Sequence, residues 1–179
     1  MARYEVVPEG SRVWIEARSS LHPLSIEADG LQGWVELSFV DGVLDLSSPV
    51  DGRLRLDVDR LTSGRRVEDV ELRRRLDARR HPTIEGVLAG IEPTETLHRY
   101  EVKGDLAFHG TTRSCMDEMW IEPVDEWLVR LDGWARFDVR DFGIRPPRLL
   151  FVRFDPEVQV RVELLAHRPH DDEPDPEEA

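Results

Sequence analysis

This 179-residue chain has one cysteine, Cys115, one lysine, Lys103, and nowhere an apolar run long enough to cross a membrane as a helix. The lone cysteine excludes an internal disulfide and a Cys-x-x-Cys zinc cluster, and it reads as a half-buried free thiol rather than a nucleophile. Lysine is nearly replaced by arginine throughout, which reflects the source's codon usage and marks no site. No apolar run of signal-peptide length follows MARYEVVPEGSRVW, so a cytoplasmic protein without stable membrane insertion is expected. Net positive charge is also missing. The formal net charge is −13, and six of the acids lie in the terminal HDDEPDPEEA. Such a chain gains nothing from releasing counterions on a phosphate backbone, and no nucleic-acid binding is expected.

The length suits one core without a metal or disulfide staple. Residues 1–168 are read as one domain. Residues 169–179, acidic and proline-containing, hold too few apolar side chains to offset the entropy of ordering and are expected to be a disordered tail.

What the chain has in quantity is period-two alternation. Val13, Ile15 and Ala17 share a face in SRVWIEA, and Leu54, Leu56 and Val58 oppose Arg53, Arg55 and Asp57 in GRLRLDVD. Tyr100, Val102, Leu106 and Phe108 oppose Glu101, Lys103 and Asp105. Val158, Val160, Val162 and Leu164 oppose Glu157, Gln159, Arg161 and Glu163. The longest such run, WLVRLDGWARFDV, sets Trp127, Val129, Leu131, Ala135, Phe137 and Val139 against Arg130, Asp132, Arg136 and Asp138, with Trp134 on the polar side. These are half-buried strands. Asp-Gly pairs at 29–30, 41–42 and 51–52, and His109-Gly110-Thr111-Thr112, supply the turns between them. About eight strands with one solvent face each predict an antiparallel meander, closed as a barrel or folded as a sandwich; alternation does not choose between the two.

One segment breaks the pattern. SGRRVEDVELRRRLDARRHPTIEG carries seven arginines between Arg65 and Arg80 and predicts a helix stopped by Pro82. The arginines spread around the helix rather than forming a stripe, and four acids answer them. Asp69–Arg73 and Glu71–Arg75 are expected as i,i+4 pairs, each worth about 0.2–0.5 kcal/mol. Val67 and Val70 lie on one edge and Leu72 and Leu76 nearly opposite, so the helix is either gripped on two sides or breaks early.

Five short motifs then occur in order: Tyr4, Val6, Pro8 and Ser11; Ser63-Gly64 with Leu72-Arg73; Pro82-Thr83-Ile84; Gly104, Leu106, Gly110 and Thr112; and Arg140-Asp141-Phe142-Gly143. In this order the chain resembles the YceI-like family of polyisoprenoid-binding, lipocalin-like proteins across nearly residues 2–166. The resemblance implies an all-β fold, an eight-stranded antiparallel up-and-down barrel with one short helix inserted between strands and a lumen for an isoprenoid chain such as a quinone tail. Two departures stand out. The family's aromatic pair after Leu-Arg is replaced by Leu76-Asp77-Ala78-Arg79-Arg80, and the stretch from Gly33 to Gly64 is longer than usual.

The candidate ligand-binding residues are the inward apolar side chains Ile15, Leu56, Ile84, Val102, Phe108, Leu131, Phe137 and Phe142. On the residues alone, a plain core is the favoured explanation of such side chains, and the resemblance is what turns them into candidate cavity walls. Asp141-Phe142-Gly143 mimics the kinase metal-binding tripeptide, but without a phosphate loop it reads as a strand-end corner with Phe142 packed inward. Apart from His167 and His170, at the start of the tail, the histidines show no metal-ligand spacing, and the serines show no nucleophile context, so catalysis and a metal site are not expected. The predicted function is a non-enzymatic binding protein that holds a long apolar small molecule, a polyisoprenoid, quinone or lipid-like chain, for carriage, storage or sequestration. Beyond a bound isoprenoid or lipid no cofactor is implied, and a homodimer is left open. The alternative is an interaction or scaffold barrel with a filled cavity, meeting a partner through the helix, the tail, or Trp14 and Trp34, which stand on the opposite parity from their neighbours.

Overall fold

The computed structural model describes residues 1–146, 148–149 and 152–169, so the predicted tail lies outside it except for Pro169. Its strands are β1 (Ala2–Val6), β2 (Arg12–Ser19), β3 (Leu24–Ala28), β4 (Gln32–Leu37), β5 (Phe39–Val40), β6 (Val43–Leu44), β7 (Asp51–Asp57), β8 (Thr83–Pro93), β9 (Arg99–Phe108), β10 (Thr111–Pro123), β11 (Leu128–Asp138), β12 (Arg148–Leu149) and β13 (Val152–His167). One helix, α1 (Arg66–Arg75), interrupts them between β7 and β8.

β1 and β2 are the two halves of one broken strand lying along β13, and β4 and β3 are the matching halves of its neighbour. With β7, β8, β9, β10, β11 and β13 they close an eight-stranded antiparallel barrel through the β1–β13 pairing. Closure removes most of the sheet edges that a sandwich would keep.

The break between β1 and β2 is a single turn at Pro8–Gly10, started by a residue with no backbone N–H to give the ladder. Ser11 repairs the loss. Its fully buried hydroxyl donates to Leu165 O at 3.3 Å and accepts from Leu165 N at 3.1 Å. The break between β3 and β4 is followed by Gly33, whose φ is 132°; a Cβ there would lie 1.9 Å from Arg53 O, so only glycine fits. Below that break the wall is continued by Glu27 and Thr62, which exchange both backbone hydrogen bonds at 2.8 and 2.9 Å.

The inward faces do not fill the barrel evenly. At the end containing β1 and β4, Tyr4, Leu37, Ile121, Val129, Leu164 and Ala166 form a packed core. The β5–β6 hairpin, within the longer 33–64 stretch, seals this end. Phe39 meets Tyr4 edge-on with ring centroids 6.4 Å apart, and Leu44 N donates to the Tyr100 hydroxyl at 3.3 Å.

α1 lies at the other end and breaks early, one of the two outcomes its apolar residues allow. It stops at Arg75 rather than running to Pro82, because Asp77 adopts a left-handed φ of 45° and its carbonyl accepts from Arg80 N and His81 N in a tight turn. Of its two expected ion pairs, Glu71–Arg75 forms at 2.7 Å. Asp69–Arg73 does not: Asp69 turns back before the helix to accept from Ser63 N, Ser63 Oγ and Thr62 Oγ1 at 2.7–2.8 Å, while Arg73 reaches Asp59 at 3.4 Å. These bonds, led by the Ser63 N–H, hold the Asp69 carboxyl below its ordinary value.

Candidate functional site

The half of the barrel beneath α1 encloses a cavity of about 980 Å³. Its wall comes from the inward parity of the strands: Val13 and Ile15 of β2, Leu54 and Leu56 of β7, Ile84 of β8, Leu106 and Phe108 of β9, Ala135 and Phe137 of β11, and Val158, Val160 and Val162 of β13. These side chains are aliphatics and phenylalanines without a polar atom, which is the lining an apolar ligand needs.

Phe142 closes one side of the wall. It is buried in the single turn Val139–Phe142, and its ring lies 5.7 Å from Phe108 and 6.3 Å from Phe137. Gly143, with φ 73°, ends that turn, and His109 Nδ1 donates to Phe142 O at 2.9 Å. The Arg-Asp-Phe-Gly stretch is thus the inward-packing corner expected from the sequence.

The rim carries the polar groups. Leu72 and Leu76 of α1 pack inward, while Val67 and Val70 border the cavity yet stand 84% and 59% exposed. Glu71 takes both neighbouring arginines, Arg74 at 3.0 Å and Arg75 at 2.7 Å. Hydrogen bonding from Arg74, above all, lowers the Glu71 carboxyl pKa. Arg55 is tied to Asp57 at 3.3 Å, and Arg145 also borders the opening. The opening therefore carries charged groups, several of them paired, around an apolar interior.

Six of the eight candidate binding residues, Ile15, Leu56, Ile84, Phe108, Phe137 and Phe142, line this cavity. The other two do not: Leu131 is buried in the packed core and Val102 packs against that core. Parity assigns all eight to the inside but carries no information on height along the barrel. The helix edge Val67–Val70 was visible as an odd apolar pair, yet nothing in the sequence placed it at an opening.

Three outward tryptophans have arginines stacked beside them. Arg3 lies over Trp34 at 4.1 Å, and Arg161 lies between Trp14 and Trp134 at 5.4 and 5.3 Å on adjoining strands. This accounts for Trp134 on a polar face. Cys115 donates to Gly104 O at 3.4 Å, and burial, aided by Asp117, pushes its thiol pKa up, which suits an inert thiol.

The family model of the YceI-like domain matches residues 4–166. The chain belongs to the YceI-like family. Among solved structures, this YceI-like domain is similar to Burkholderia cenocepacia BcnA, with 17% identity and a TM-score of 0.74 over 90% of this chain and 99% of that one. It is similar to a polyisoprenoid binding domain from Saccharophagus degradans implicated in plant cell wall breakdown, with 10% identity and a TM-score of 0.74 over 94% and 100%. A Campylobacter jejuni YCEI protein matches with 10% identity and a TM-score of 0.66 over 84% and 88%. At these identities the likeness is one of fold. No curated protein sequence matches the chain.

Proposed function

We propose that this YceI-like domain is a non-enzymatic carrier that holds one long apolar chain, a polyisoprenoid, quinone tail or lipid-like molecule, in the hollow half of its barrel. The observation that carries this reading is the cavity of about 980 Å³, lined by aliphatic and aromatic side chains and opening beneath α1. Each methylene removed from water there contributes about 0.8 kcal/mol, so a chain of ten supplies roughly 8 kcal/mol before the costs of association. The polyisoprenoid binding domain of Saccharophagus degradans shares the fold, and that adds support for an isoprenoid. The alternative, a scaffold barrel with a filled interior, fits less well, because side chains plug only the end sealed by β5–β6. Carriage, storage or sequestration in the cytoplasm completes the proposal.

The test is to purify the full chain from its source without detergent, extract it with organic solvent and identify the extract by mass spectrometry. One isoprenoid or lipid chain per protein molecule is the expected result. Protein that is consistently empty and takes up no apolar fluorescent probe sinks the reading.

A further inference from the structure

β10 and β11 leave their hairpin together and then part. Their pairing runs from Pro123 opposite Val129 to Met119 opposite Gly133. Beyond that, β10 continues to Thr111 along β9, and β11 continues to Asp138 along β13. Residues 111–118 and 134–138 thus face each other across the wall with no ladder between them. The parting begins where the Met119 side chain crosses Gly133, at which a Cβ would lie 2.7 Å from Met119 Cγ. At the far end the gap is tied again, by Arg113 Nε donating to Asp141 O at 3.1 Å.

The gap holds a crevice of about 900 Å³, and Ala135 lines both this crevice and the lumen. The two spaces therefore adjoin at a residue with a single methyl group. Arg130, Trp134 and Arg136 lie on the outward parity of β11, whereas Asp117 has the inward parity of Met119 on β10. Among the described residues the Asp117 carboxyl has no hydrogen-bond or ion-pair partner, and burial alone pushes it above its ordinary value. A half-desolvated carboxylate without a partner is unfavourable until a donor reaches it.

We propose that this crevice is a headgroup subsite of the lumen, in which Asp117 accepts a hydrogen bond from an amphiphile whose chain lies in the barrel and whose head emerges past Ala135. The inference rests on the lumen-binding reading and narrows it to a ligand class: long-chain alcohols or amines, whose heads donate. Carboxylate and phosphate heads are disfavoured, because the crevice already sets Asp117, Glu118, Glu122 and Asp132 against Arg99, Arg130 and Arg136, and a further anion beside Asp117 adds to that excess where solvent is partly excluded.

Displacement of N-phenyl-1-naphthylamine from the full-length protein by dodecylamine, dodecanol and dodecanoate tests this. The amine and the alcohol are expected to displace the probe at concentrations about tenfold or more below dodecanoate, the size of a hydrogen bond to a charged group. Asp117→Asn is expected to bring dodecylamine and dodecanoate within about threefold, and Asp117→Glu to retain the preference. Thermal melting of both variants reports that the barrel is intact. Equal displacement by all three compounds, a preference for dodecanoate, or a preference for the amine that survives Asp117→Asn overturns the subsite and leaves the lumen reading standing. Failure of the naphthylamine to bind at all overturns both.

Discussion

At one end of the barrel Ile121, Val129 and Ala166 have 0% of their surface exposed. At the other, Ile84, Phe108 and Phe137 share the same inward parity but border about 980 Å³ of cavity. Both ends are made of alternating strands with apolar inner faces. The difference comes from what covers them. The closed end receives Phe39 and Leu44 from the β5–β6 hairpin and is filled to contact. The open end receives a charged helix that offers Leu72 and Leu76 inward and leaves Val67 and Val70 at the rim. Alternation decides which side chains face inward, and the elements inserted between strands decide whether those side chains touch one another.

Substitution at both ends tests this contrast. The largest effect is expected from Ile121→Ala, which leaves a hole in packed core and costs about 2–5 kcal/mol. Ile84→Ala removes a side chain that already borders a cavity and is expected to cost less than half as much in urea unfolding, while weakening apolar probe uptake. Equal losses at the two positions would break the comparison.

Next comes Ser11→Ala, which strips both hydrogen bonds from Leu165 at the strand break and is expected to cost about 1–3 kcal/mol. Calorimetry should show a lowered Tm, and the loss falls on the closed end, next to the β1–β13 seam.

Asp69 ties α1 to the open end, and its effect depends on pH. Its folded pKa lies below the unfolded value near 4. Its contribution is therefore full above the unfolded pKa, declines as pH falls through the folded pKa, and is gone below both. Asp69→Asn is expected to cost about 1 kcal/mol at pH 7, a cost that shrinks as the pH is taken below the unfolded value near 4. Denaturant midpoints above and below that value report the difference.

A ring added to the hollow end should be tolerated. Val160→Phe points into the cavity and is expected to change stability by less than about 1 kcal/mol while cutting probe uptake about tenfold. The same change at Val129 overpacks a filled core and costs about 1–3 kcal/mol. Smallest of all is the rim: Val67→Ser with Val70→Ser should shift stability by no more than about 0.5 kcal/mol.

The sequence made much of this legible. Parity assigned Val13, Leu56, Phe108 and Val160 to the inner face, and the ordered motifs converted an undecided barrel or sandwich into a barrel. The helix ends at Arg75 because Asp77 enters the left-handed region, which aspartate adopts more readily than most residues but which composition alone does not locate. Asp69 left its i,i+4 partner because three donors in Thr62-Ser63 outbid one exposed arginine, a preference set by the turn's geometry. Leu131 and Val102 were placed correctly inside yet outside the cavity, since height along a barrel depends on strand register and not on alternation. The unladdered stretch between β10 and β11 was likewise hidden, because an open edge and a paired one have the same inward and outward pattern.

The seam formed by β13 bears on how the molecule is made. β13 pairs with β11, β2 and β1 at once, so its last residues complete contacts with the first ones of the chain. Such pairings pay the loop-closure entropy of nearly the whole sequence, which slows folding. During synthesis the amino-terminal strands must wait, unpaired along one edge, until the final strand has emerged. The barrel therefore closes only once β13 is available to pair, and the apolar lumen is exposed throughout that interval.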